Sequence, residues 1–123
     1  MISKESTVKK IQKEISSQKY DEAIKLIEHN KRDLVEIDYW YYLSLCSRYS
    51  KKYNEALSEL NFLEGTIFAD KGIIMSGQIY ERFYNDSSKA SEFYFRIIND
   101  YPESIFSEPI RYHLRKLKDN EKI

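Results

Sequence analysis

The sequence predicts an all-α chain of about three antiparallel helix pairs, closed by a capping helix at the C-terminal end. Glycine and proline together number five in 123 residues, far too few for the many tight turns of an all-β protein. Three segments align on one alanine each: Tyr20-Asp21-Glu22-Ala23-Ile24, Tyr53-Asn54-Glu55-Ala56-Leu57 and Ser87-Ser88-Lys89-Ala90-Ser91. These alanines lie 33 and then 34 residues apart. Four and seven positions after each come Ile27 and Asn30, Leu60 and Leu63, and Tyr94 and Ile97. That spacing is one face of a helix, on which the small alanine lets a neighbouring helix come close.

A second helical pattern of about a dozen residues precedes each alanine, so the repeating unit is two antiparallel helices. The first helix carries Val8, Ile11 and Ile15 on one face and reaches a polar joint at residues 16–19. The helix of Ala23 follows and breaks at 30–33. The third helix, over residues 39–49, points Trp40, Leu43 and Ser47 to the core, and a joint at 50–52 leads into the helix of Ala56. Gly65 and Thr66 break the chain again. The fifth helix presents Ile73, Gly77 and Tyr80, and a joint at 85–88 leads to the helix of Ala90, which Asp100-Tyr101-Pro102 stops because proline cannot continue it. These joints are rich in residues that favour turns and N-caps. Ser104 or Ser107 is expected to cap a last helix running to about Lys118, with Pro109 tolerated near its first turn. Seven helices, no strands and no linker make one domain over 1–123, with repeats at about 5–34, 37–66 and 69–102 and a capping helix at about 104–118.

Composition narrows the partners. Twenty basic and twenty acidic side chains give a formal net charge of zero, while Leu, Ile, Val and Phe make up about a quarter of the chain, enough to collapse. No apolar run approaches the roughly 18 residues of a membrane span. Cys46 stands alone and can form neither an internal disulfide nor a cysteine metal site. The unusual figure is the aromatic share of 15%, with 11 Tyr, 6 Phe and one Trp.

The repeats resemble the tetratricopeptide family, whose helix-turn-helix unit of about 34 residues has a Trp–Leu–Gly–Tyr series in its first helix, an alanine with an aromatic in its second, and a terminal proline. The middle repeat matches with Trp40, Leu43, Tyr53 and Ala56. The third matches with Gly77, Tyr80, Ala90, Tyr94 and Pro102, with one extra residue between its helices, and the first keeps only Tyr20, Ala23 and the apolar spacing. The resemblance covers roughly residues 5–102 and implies a right-handed α-α superhelix. The ending Ala90…Tyr94…Ile97…Tyr101-Pro102-Glu103-Ser104 is also similar to repeats of bacterial envelope lipoproteins and their assembly factors.

Arrays of this kind curve, with the first helix of each pair lining a concave face. Beside its core-facing residues the third helix carries a second stripe, Tyr41, Leu45 and Tyr49, and is apolar over most of its circumference. Either neighbouring repeats cover this stripe, or it faces the groove and contacts a peptide or partner helix. Tyrosine suits contact because it buries area at little entropy cost and keeps a hydroxyl. The expected groove is Tyr41, Leu45, Arg48 and Tyr49, continued by Ile74, Gln78, Glu81 and Arg82. The Hsp70/Hsp90-type carboxylate clamp needs Lys and Asn in the groove, so that function is not carried over.

Catalysis is not expected. His29 and His113 have no triad partners at a recognisable spacing and read as surface histidines; Cys46 reads as a small hydrophobe. The scattered glycines form no phosphate loop, and no ligand cluster suggests a metal or other cofactor. Basic residues Lys4, Lys9, Lys10 and Lys13, and Arg111, Arg115, Lys116 and Lys118, are diluted by acids and read as solvated faces, not as a nucleic-acid site. The expected function is a protein-binding adaptor, co-chaperone or assembly scaffold. The alternatives are a self-associating module of a larger or envelope-anchored assembly and, behind it, an RNA-binding helical repeat. With no signal-peptide core after Met1 the expected compartment is the cytoplasm, or the periplasm or envelope for a trimmed chain.

Overall fold

The computed structural model describes residues 4–121, and the side chains of 7–119. Among these residues the chain is all-α. Its helices are α1 (Lys4–Ser16), α2 (Tyr20–His29), α3 (Glu36–Tyr49), α4 (Tyr53–Leu60), α5 (Ala69–Arg82), α6 (Ser87–Asp100) and α7 (Ser107–Glu121), and no strand occurs among them. Short 3-10 turns at Lys31–Asp33 and Asn61–Leu63 end the first two pairs. The chain divides into two compact units, with the boundary between Thr66 and Ile67.

In the first unit, α1 and α2 bury Ile11, Ala23 and Ile27 against Tyr39, Leu43 and Cys46 of α3. Ala23 and Ala56 have no solvent exposure, as their role as close-approach positions requires. The 33-residue period is repeated in the backbone. Gln18 and Lys51 both adopt left-handed conformations, with φ of 60° and 65°. After each, the amide of Lys19 or Lys52 reaches back to the carbonyl of Glu14 or Ser47, at 2.9 and 2.8 Å, while Gln18 and Lys51 bond to Ile15 and Arg48. This is the Schellman closure of a helix, made here without glycine. The helix of Ala56 is shorter than its apolar spacing suggests. It ends at Leu60, and Leu63 lies in the 3-10 turn, yet remains fully buried.

In the second unit, Ala90, Tyr94 and Ile97 of α6 form a core with Ile73 and Ile74 of α5 and Ile110, Leu114 and Leu117 of α7. Asn85 takes the left-handed position in the joint (φ 50°), where the extra residue lengthens the closure so that Asp86 N–H bonds to Tyr80 O. A Cβ on Gly77 would stand 2.5 Å from Tyr94 Cε1 and 2.9 Å from Cδ1, so this glycine is what lets the Tyr94 ring lie against α5.

Two expectations change. Trp40 is only half-buried and stacks on Phe62 at 4.0 Å, whereas its neighbour Tyr39 is the buried aromatic of α3. The reason is that α3 packs on two sides, with Tyr39, Leu43 and Cys46 in the core shared with α1 and α2 and Trp40 beside the turn that ends α4. Nor does a serine cap the last helix. Ile110 N–H bonds to the Phe106 carbonyl, while Ser104 Oγ accepts from Phe106 N–H at 3.1 Å and donates to Asp70 at 2.8 Å. Ser104 thereby ties the turn before α7 to the start of α5. Ser107 begins α7 with its hydroxyl buried and without a hydrogen-bond partner. Among the described joint residues Asp86 caps with its side chain, accepting from Lys89 N–H at 2.9 Å, whereas Lys19 and Lys52 do not.

Two stability predictions follow from these positions. Gly77→Ala gains ~1 kcal/mol of helix propensity, but overpacking against the pinned Tyr94 ring costs ~1–3 kcal/mol. Urea unfolding should therefore show a net loss, and an unchanged midpoint would mean that the ring yields freely. At Lys51 the left-handed backbone costs an L-residue ~1–2 kcal/mol, against roughly 0.5–1 for the added freedom of glycine in the unfolded chain. Lys51→Gly should raise stability by about 0.5–1 kcal/mol, and a lower melting temperature would contradict the assignment.

Candidate functional site

The first helices of successive pairs share a register that starts from their N-cap residues, Val35, Phe68 and, by its backbone bond, Phe106. Counting on from these residues places Tyr41, Leu45 and Arg48 level with Ile74, Gln78 and Glu81. Three expected groove residues of each helix thus share this sequence register, while Tyr49 and Arg82 fall one position beyond it.

On α3, Tyr41, Leu45 and Arg48 are half-buried. Tyr49 is 47% exposed but is turned away from that stripe, with its ring stacked on Tyr20 of α2 at 5.1 Å and 16°. The Arg48 guanidinium lies 4.8 Å from the Tyr49 ring centre, a cation–π contact that links the stripe to the stack. Tyr42, beside them, accepts a 2.8 Å hydrogen bond from Gln12 of α1 and sets its ring edge-on to Tyr41. The first unit thus carries two aromatic pairs beside Arg48 and Leu45 on α3, Tyr41–Tyr42 and Tyr20–Tyr49.

On α5, Ile74 is buried in the core, Gln78 is half-buried and Arg82 is exposed. Glu81 is held. Its Oε1 accepts from the Tyr94 hydroxyl at 2.8 Å and from His113 Nε2–H of α7 at 2.8 Å. His113 is consequently not the surface histidine that the sequence suggested: its side chain is 38% exposed and its ring stands edge-on to Tyr94 at 5.5 Å. No direct sign of this pairing lies in the sequence, since Glu81 and His113 are 32 residues apart. An indirect sign was present. Tyr94 occupies a core position four residues after its alanine, and a buried phenol needs a partner for its hydroxyl. His29 is exposed, as expected.

Burial raises the Glu81 carboxyl, but the hydrogen bonds from His113 and Tyr94, with the charges of His113 and Arg82, outweigh it and hold the group below the ordinary glutamate value. Burial first, then the bond to Glu81, pushes the Tyr94 phenol well up. In the first unit, burial and then Glu59 push the Cys46 thiol up to about 12, so it stays protonated and packs as a small hydrophobe. Burial also raises Glu59. Among the described residues no three His, Cys, Asp or Glu side chains are grouped to hold a metal, and no helix is long and apolar enough to cross a membrane. Glu81, Tyr94 and His113 thus form a part-buried clasp that ties α5, α6 and α7 together.

The sign of its pH dependence follows from the depressed Glu81. A carboxyl that ionises more readily in the folded state adds stability above its unfolded value, about pH 4.3, and loses it as pH falls through the folded value. Melting temperature should drop through that acid window, and Glu81→Gln should flatten the drop; an identical acid limb in both proteins would remove Glu81 from the account. No protein-family model matches the sequence, and neither a curated protein nor a solved structure matches it.

Proposed function

We propose that the chain is a protein-binding module of the tetratricopeptide type, an adaptor or assembly scaffold that acts without catalysis. On this reading its helix pairs belong to a right-handed superhelix, and a peptide or partner helix lies along the stripe presented by the first helix of each pair. The support is architectural and local. A left-handed residue in the joint, a fully buried alanine and the first-helix register recur along the chain, with the first two joints closing alike.

The observation that carries the proposal is the surface left on α3. After Tyr39, Leu43 and Cys46 are committed to the core and Ser44 and Ser47 are buried beside them, the helix still presents Tyr41 and Leu45 half-exposed, flanked by Arg48 and Tyr49. Large aromatic side chains with a polar tip, already ordered by ring contacts, lose little entropy when a partner covers them.

The double variant Tyr41→Ser/Tyr49→Ser tests this when melting and pull-down from native lysate are measured together. Proteins captured by the wild type should be lost, while stability falls by little more than the Tyr20–Tyr49 stack, ~0.5–1.5 kcal/mol. A fully buried aromatic contributes ~1.5–3 kcal/mol, so a loss of several kcal/mol would make both residues core. Capture that survives the substitutions would move binding off this face.

A further inference from the structure

The register of the first helices separates faces with different tasks. Five, nine and twelve residues after the N-cap come Trp40, Ser44 and Ser47 on α3, and Ile73, Gly77 and Tyr80 on α5. This is the face that receives the second helix of the pair. Trp40 stacks on Phe62, Gly77 lies under the Tyr94 ring, and Tyr80 stacks on Phe93 at 5.5 Å. The face that begins four residues after the cap holds Tyr39, Leu43 and Cys46 on α3, and Ile110, Leu114 and Leu117 on α7; in each case these pack on the preceding helix.

On α7 the pair-receiving positions are Arg111, Arg115 and Lys118, all exposed. They form one cationic stripe, spaced four and three residues apart, with Glu108 3.5 Å from Arg111 at its N-terminal end. Beside the stripe the surface is not simply polar. Phe95 of α6 is 53% exposed and, with Leu114, Ser88, Ser91 and Lys118, lines an open hollow of about 320 Å³ between α6 and α7. An apolar floor therefore lies beside a row of cations.

We propose that this edge of α6 and α7 docks an acidic amphipathic helix from a protein partner, seated as the second helix of the pair that α7 begins. Its apolar side chains cover Phe95 and Leu114, and its carboxylates meet Arg111, Arg115 and Lys118. Charge selects this occupant. A second helix with an apolar contact face would desolvate three cations with Glu108 alone beside Arg111 to offset them, whereas added carboxylates compensate them and guide the approach. Two arginines of the stripe favour planar, bidentate carboxylate contacts. The proposal does not rest on the aromatic stripe of α3.

The test uses the full chain and a designed helical peptide of 14 residues, the length of α6, with leucines along one face and glutamates beside them; its control carries lysine at every glutamate. Fluorescence anisotropy should show that the acidic peptide binds and the basic control does not, with affinity falling as salt screens the stripe. The charge reversal Arg111→Glu/Arg115→Glu/Lys118→Glu should weaken binding about tenfold or more, roughly 1.4 kcal/mol or beyond, and Phe95→Ser should weaken it independently. All four side chains are exposed, so circular dichroism should remain that of the wild type. Absence of peptide binding, equal binding of both peptides, or binding that neither variant changes would overturn the proposal. So would an RNA oligonucleotide that takes the stripe in preference to the acidic peptide, or self-association abolished by Phe95→Ser, which would make a second copy of the chain the occupant.

Discussion

The second unit depends on one close approach, the Tyr94 ring against Gly77. Without a Cβ at Gly77 the ring lies on the α5 backbone and is buried to 1% exposure. A phenol at that depth must satisfy its hydroxyl, because an unmade buried hydrogen bond costs about 1–3 kcal/mol. Glu81, one turn further along α5, supplies the acceptor. A partly desolvated carboxylate in turn gains from a second donor, and His113 of α7 provides it on the same oxygen. A missing side chain on α5 thus leads, through three hydrogen-bonding groups, to the lateral placement of α7. The apolar residues Ile110, Leu114 and Leu117 supply the area that holds α7 to the core, but an apolar stripe alone tolerates sliding. The clasp gives it register.

Much of this architecture was legible in the sequence because it depends on backbone and volume. The three joints fell where polar residues clustered, and the alanines at 23, 56 and 90 are all fully buried. Helix ends are less legible there. Of the three joints rich in capping residues, only that before α6 supplies a side-chain cap among the described residues, Asp86; the N-cap residues of α2 and α4 are Lys19 and Lys52, which do not cap with their side chains. Their positions are set by left-handed residues and by packing, and a lysine in a left-handed conformation leaves no compositional mark.

Functional residues were harder for a geometric reason. On a helix, faces separated by a single residue lie about 100° apart, so an aromatic-rich helix such as α3 offers several apolar stripes that periodicity cannot rank. Spacing alone groups Tyr49 with Tyr41 and Leu45, whereas its ring stacks on Tyr20 and Arg48 completes the half-buried row. Glu81 was identified as a polar member of its stripe, but its partners come from α6 and α7 and could not be seen from α5 alone.

The register common to α3, α5 and α7 resolves part of that ambiguity, because each stripe answers to a different neighbour. Positions that pack on the preceding helix stay apolar on α3 and α7 alike, since both helices dock on a completed pair. Positions on the face that receives the second helix of a pair differ in chemistry from helix to helix. They are small, aliphatic or aromatic on α3 and α5, which pack on α4 and α6, and cationic on α7. Desolvating three cations against an apolar surface is unfavourable enough to prevent indiscriminate helix addition at this face, while long cationic side chains still shield the apolar floor beside them with their stems. The stripe on α7 therefore discriminates by charge where the interior pairs discriminate by volume. Gly77 accepts Tyr94 because the space fits, whereas a helix over Arg111, Arg115 and Lys118 must bring compensating charge.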